Sequence, residues 1–142
     1  MGMRIRRDPA DVAFSICVRE RTCWTCESCH RSFPRGAGNL HCSHLFSRRH
    51  MSTRFSPENA FAHCFTCHQR LGGDPVNFTR WAEAKMGPDK VSKLHTKAHL
   101  TLKLAKVDKA FIASHYRGEM KWMREKRLAG ETGYLQFAHW GS

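Results

Sequence analysis

Apolar positions along this chain follow two periods. At Ala10, Phe14, Cys17 and Val18 they recur every three or four residues, which places them on one face of a helix. Asp8 and Pro9 just ahead supply a capping acceptor and a proline for the first turn. The pattern predicts a helix over residues 8–20, with Cys17 as a small buried hydrophobe. Residues 22–39 lose the period and gather Pro and Gly, which break regular structure. Residues 40–46 (LHCSHLF) predict a strand, 47–58 a long basic loop, and 59–65 (NAFAHCF) the returning strand of a β-hairpin. A short helix should start near Cys67, with GGDP as its break.

Helical spacing then returns three times. One helix should start at Asp74-Pro75, bury Phe78, Trp81 and Ala82, and end at Gly87. The next should start near Pro88 and run through Val91, Leu94 and Ala98. The last should start at Asp108 and carry Phe111, Ile112, His115, Tyr116, Met120 and Met123. LTLKLAK (100–106) alternates and fits either a strand or a connector. Residues 130–142 show no period. Trp81 and Trp122 are assigned to the core.

At 142 residues the chain fits one α+β domain. It divides into an N-terminal helix and arm (1–21), a cysteine- and histidine-rich core (22–73), a helical extension (74–128) and a tail (129–142). A formal charge of +12 points to a polyanionic partner, most simply nucleic acid. No apolar run approaches the ~20 residues that cross a bilayer, so no membrane partner is expected. MGMRIRRDPAD also lacks the apolar stretch of a signal peptide. The expected compartment is therefore the cytoplasm, where seven cysteines fit metal ligands and free thiols better than disulfides.

Two cysteine pairs carry the strongest local signal. Cys26-x2-Cys29 and Cys64-x2-Cys67 each form a knuckle that turns two sulfurs toward one ion. Together they complete the tetrahedral shell of a structural Zn²⁺. The segment between the pairs is longer than the ~15–20 residues of a simple zinc ribbon, so it must hold structure of its own. Cys23 also makes a Cys-x2-Cys pair with Cys26, which leaves the register of the first knuckle open, with His30 and His68 as spare ligands. Cys42 has no role that the pattern assigns.

His41, His44, His50, Asn59, His63 and His68 lie in and just after this insert, among arginines. The segment NAFAHCFTCH resembles the C-terminal half of the HNH motif in its four-cysteine zinc variety. LHCSHLFSRRHMSTRFSPEN resembles more narrowly the phage NinG/Rap-type recombination endonucleases, through Ser43-His44-Leu45, Arg48-Arg49, Arg54-Phe55 and Glu58-Asn59.

The resemblance implies a small ββα-metal (His-Me finger) core with a four-cysteine zinc knuckle and flanking helices, and hydrolysis of DNA phosphodiesters. His44 would be the general base and Asn59 would orient its imidazole. His68 would help bind a catalytic Mg²⁺ or Mn²⁺. Many HNH enzymes have an acidic ligand just before the base; here that residue is Ser43. The metal site must then draw on His63, His50 or His41.

Arg35, Arg48, Arg49 and Arg54 flank the histidines with no acidic residue between Ser28 and Pro57, and are assigned to phosphate contact. The expected substrate is DNA, branched if the NinG/Rap resemblance extends so far, in a phage or prophage setting. A resolvase cutting two strands would need a homodimer. The rival readings are a non-catalytic zinc-stabilised DNA-binding protein, an HNH nuclease for genome packaging or homing, and a zinc-stabilised protein-interaction module. The last fits the charge poorly.

Overall fold

In the computed structural model, which describes residues 5–142, helix α1 (Pro9–Arg21) starts where its capping residues place it. Asp8 accepts from the backbone N–H groups of Ala10 and Asp11 at 3.0 and 3.2 Å, and Asp11 accepts in return from that of Asp8 at 2.9 Å. This reciprocal cap satisfies donors that a helix start leaves unpaired. The first four residues of the N-terminal arm lie outside the described residues.

The hairpin follows as β1 (Leu40–His44) and β2 (Ala60–Cys64), antiparallel, with Leu40 opposite Cys64 and His44 opposite Ala60. The Phe65 N–H donates to the Asn39 carbonyl at 3.0 Å and the Leu45 N–H to the Asn59 carbonyl at 2.9 Å. Antiparallel alternation then turns the backbone groups of Leu40, Cys42 and His44 to the outer edge of the sheet. Helix α3 (Phe65–Gly72) leaves β2 directly, two residues earlier than the sequence pattern places it, so Cys64 is its N-cap.

The basic loop between the strands is more ordered than its composition implies. It contains a short helix, α2 (Met51–Arg54), and a 3₁₀ turn at Pro57–Asn59. Asn59 holds it in shape. The Asn59 Oδ1 accepts from the Phe46 N–H at 2.8 Å, and its Nδ2 donates to the carbonyls of Phe46 and Thr53 at 2.9 and 3.1 Å. Asn59 is fully buried, so removing the amide strands three backbone groups without water. Asn59→Ala is expected to destabilise the protein by about 3 kcal/mol, read as a lower urea midpoint.

Helices α4 (Pro75–Met86) and α5 (Pro88–Ala98) meet at Gly87, whose φ of 90° is a conformation that side chains disfavour. Helix α6 (Lys106–Leu128) starts two residues before the expected Asp108, which accepts instead from the Ala105 N–H at 2.9 Å. Residues 99–105 are a connector, with Leu100 and Leu102 exposed.

Three apolar clusters hold these elements. Phe14, Cys17 and Val18 of α1 pack on Ile112, Tyr116 and Met123 of α6. Trp24, Leu40 and Ala62 surround the paired cysteines. Phe61 and Leu71 meet Phe78, Ala82 and Val91. Trp81 joins the third cluster, 4.9 Å ring to ring from Phe61. Trp122, assigned to the core from its helical position, is 39% exposed, because Ile112, Tyr116 and Met123 take the inward face of α6. The tail is bound too: the Leu135 N–H donates to the Arg21 carbonyl at 2.8 Å, and Phe137 beds against Phe14 and Tyr116. The result is the expected mixed α+β fold, with six α-helices and one two-stranded antiparallel sheet among the described residues.

Candidate functional site

The two knuckles come together. Cys26, Cys29, Cys64 and Cys67 place their sulfurs within 4.8 Å of one another. The first knuckle is a tight turn closed by Cys26 N–H to the Arg31 carbonyl and His30 N–H to the Cys26 carbonyl, both 2.9 Å. The second spans the step from β2 into the first turn of α3. This settles the register, since Cys23 is exposed and outside the group, as is His30.

The donor set suits a structural metal such as zinc. Four sulfurs at about 2.3 Å from a tetrahedral ion stand about 3.8 Å apart, and Cys29 Sγ lies 3.7 Å from Cys64 Sγ. Burial pushes the Cys64 thiol up to about 11. Burial also raises the Cys67 thiol, but hydrogen bonds with Cys64, Ser28, Arg70 and Cys26 outweigh that and bring it down to about 7.

His44 ends β1. Its Nε2 lies 3.1 Å from the Arg54 carbonyl, and a carbonyl only accepts, so Nε2 carries the proton and Nδ1 the lone pair of the neutral ring. Burial lowers the His44 pKa to about 4, against the opposing effects of that hydrogen bond and Asp11. The imidazole is therefore neutral at pH 7. Asn59, which the resemblance casts as its holder, makes no hydrogen bond to it; the Asn59 amide is engaged by the loop. The residue that orients His44 is Arg54, through its main chain.

Ser43, one residue earlier, points to the other face of the sheet and is buried between two histidines. Its Oγ lies 2.7 Å from His68 Nδ1 and 2.9 Å from His63 Nδ1. A hydroxyl has one proton to give, so at least one of these nitrogens must be protonated. His63 is fully buried against Phe61, Phe78 and Trp81, and its Nε2 has no partner. Burial lowers its pKa to about 3, so it stays neutral. His68 stacks on His41 with ring centres 5.0 Å apart and planes 11° from parallel.

A cleft of about 480 Å³ runs along the open edge of β1. His41, His44 and His68 line it, with Arg7, Arg19, Arg48, Asp11 and Ser15. Asp11, Ser15 and Arg19 come from one face of α1 at four-residue spacing. In the sequence this stripe is the polar side of a helix whose apolar face is Ala10, Phe14, Cys17 and Val18.

Other assigned residues go elsewhere. Arg54 is not free for phosphate: it is buried, with Nε and Nη2 donating to Asp11 at 3.0 and 2.5 Å. Removing one partner of such a pair costs about 3–5 kcal/mol, which makes Arg54 a clamp between α1 and the loop. Arg35 pairs with Glu20 away from the cleft. Arg48 does line the cleft, 3.7 Å from Asp11, and Arg49 is exposed on the same loop. His50 faces the end of α5, with Nδ1 3.0 Å from the Ala98 carbonyl, and His63 lies beneath the sheet; neither lines the cleft. Cys42 does line it, with burial pushing its thiol up to about 12.

Comparison of the chain with protein-family models, with curated proteins and with solved structures finds no match.

The neutral His44 has a consequence for stability. Its folded pKa of about 4 lies below the unfolded value near 6.5, so as pH falls through that window the unfolded chain takes a proton that the folded one refuses. Stability should be full above about pH 6.5 and fall toward pH 4, by roughly 1 kcal/mol per pH unit from this group. Urea midpoints at pH 7, 6 and 5 test it: His44→Gln should show a shallower decline, and an unchanged slope would contradict it.

Proposed function

We propose that this protein is a metal-dependent endonuclease that hydrolyses DNA phosphodiesters with His44 as general base. The observation that carries this reading is the contact of His44 Nε2 with the Arg54 carbonyl, which leaves the Nδ1 lone pair of the neutral ring free beside a cleft lined by Arg7, Arg19 and Arg48. A base must be unprotonated at working pH, and burial keeps this one so. It would take the proton of the attacking water as the water's oxygen bonds to phosphorus. The arginines would hold the phosphate oxygens, a contact that carries no base preference.

A divalent cation would stabilise the charge that develops on the phosphate. His68 and His41 are the residues that would hold it. Imidazoles suit Mn²⁺ better than Mg²⁺, which prefers oxygen ligands, and the one carboxylate in the cleft, Asp11, is engaged by Arg54. The succession β1, β2, α3 beside the four-cysteine cluster supports the ββα-metal reading of the core.

A second reading, a zinc-stabilised DNA-binding protein without catalysis, is favoured by Ser43, which is enclosed by His63 and His68 where an acidic ligand is usual. Incubation with supercoiled plasmid and with a four-way junction separates the two. Cutting is expected with Mn²⁺, faster than with Mg²⁺, and none in EDTA. DNA retained on the protein but never cut with either metal would sink the nuclease reading. Preference for the junction would support a role in recombination.

A further inference from the structure

Three histidines outside the cleft meet where α2 abuts the C-terminal end of α5. The His50 ring lies 5.1 Å from that of His99, and His99 lies 4.5 Å from His95. Phe46 borders the group, 6.5 Å from His50 and 5.6 Å from His95. His95 and His99 are exposed, so packing gains little from gathering them.

Two of the rings have their protons placed by the backbone. His50 Nδ1 lies 3.0 Å from the Ala98 carbonyl, and His99 Nδ1 lies 2.8 Å from the His95 carbonyl. Carbonyls only accept, so both Nδ1 atoms carry hydrogen, which leaves Nε2 as the nitrogen of each ring that can offer a lone pair to an ion. Metal-binding histidines take this form, one nitrogen donating to a carbonyl and the other turned to the ion. The site also lies at a helix C-terminus, where the helix dipole favours a cation.

We propose that His50, His95 and His99 form a second metal site for a borderline divalent cation of the Zn²⁺ type, separate from the four-cysteine centre. Imidazole donors select such ions over Mg²⁺ and Ca²⁺. Unlike the four sulfurs, these donors are not already gathered about one point; the ion draws in the exposed rings of His95 and His99. The bound ion ties α2 to α5 beside the existing bond from Ser52 Oγ to the Lys97 carbonyl, 2.6 Å. It thereby steadies the short helix whose last residue, Arg54, orients His44. The proposal does not depend on nuclease activity.

The test is zinc stoichiometry on the full chain. The protein is desalted with its firmly held zinc counted by elemental analysis, then titrated with ZnCl₂ in a calorimeter. The titration is run in a His68→Gln background, so that the cleft cation of the proposed function does not count, and the expected result is one zinc per chain beyond the cysteine-bound one. In His99→Gln and in His95→Gln that second zinc should bind at least about tenfold more weakly, while the firmly held zinc is unchanged. His115→Gln, at a half-buried histidine outside this group, should leave both. Both side chains are exposed, so these substitutions are expected to preserve the fold and a loss reports ligation. No second zinc at micromolar concentrations, or a second zinc bound equally well by His99→Gln and His95→Gln, overturns the proposal.

Discussion

His44→Ala should still fold, keep its zinc and bind DNA, yet cut about 10²–10⁴-fold more slowly than the wild type, the usual contribution of a general base. The ring is held at one nitrogen by the Arg54 carbonyl and packs 6.0 Å from Phe14, so its loss frees one carbonyl and little core. The stability change should be only about 1–2 kcal/mol, small beside the kinetic effect. Plasmid nicking rates and fluorescence anisotropy, measured on the same preparation, separate cutting from binding. Because His44 titrates at about 4, wild-type cutting should not slow as pH falls from 8 to 6. Undiminished cutting by His44→Ala would remove this residue from the chemistry.

Cys64→Ser should have the largest effect on the fold. Cys64 ends β2, caps α3 and sits among Trp24, Leu40 and Ala62, so an ion held by its sulfur would tie β2 and α3 to the first knuckle. A serine hydroxyl does not replace a thiolate on zinc. Structural zinc contributes an apparent ~10–16 kcal/mol in small peptides, as much as the ~5–15 kcal/mol that is the whole net stability of a typical domain. The variant is expected to purify without zinc and to lose its cooperative thermal transition. A variant that melts with the wild type would remove the metal from the stability argument.

The elements and the ion site were legible because their signals are local. Asp8-Pro9 and Asp74-Pro75 fix helix starts within a few residues, and Cys-x2-Cys states its ligand geometry in four letters. Partners chosen by tertiary structure were not legible. Nothing near Arg54 in sequence reveals that its guanidinium would turn inward to Asp11, forty-three residues away. The Arg54 carbonyl holds His44 where Asn59 was expected to, because the Asn59 amide is taken by three backbone groups of the loop. The cleft wall supplied by α1 was missed because a helix that buries Phe14 and Val18 still has a second face to spend.

Arg54 grips Asp11 of α1 and, with Arg48, the carbonyls of Arg6 and Ile5 ahead of that helix, while its own carbonyl holds the His44 ring. The segment ahead of α1 and the imidazole are thus tied to the same residue, Arg54. Under the proposed function, a phosphate held by Arg7 would sit on the stretch of chain that Arg54 joins to His44, so substrate contact and the base would share one anchor.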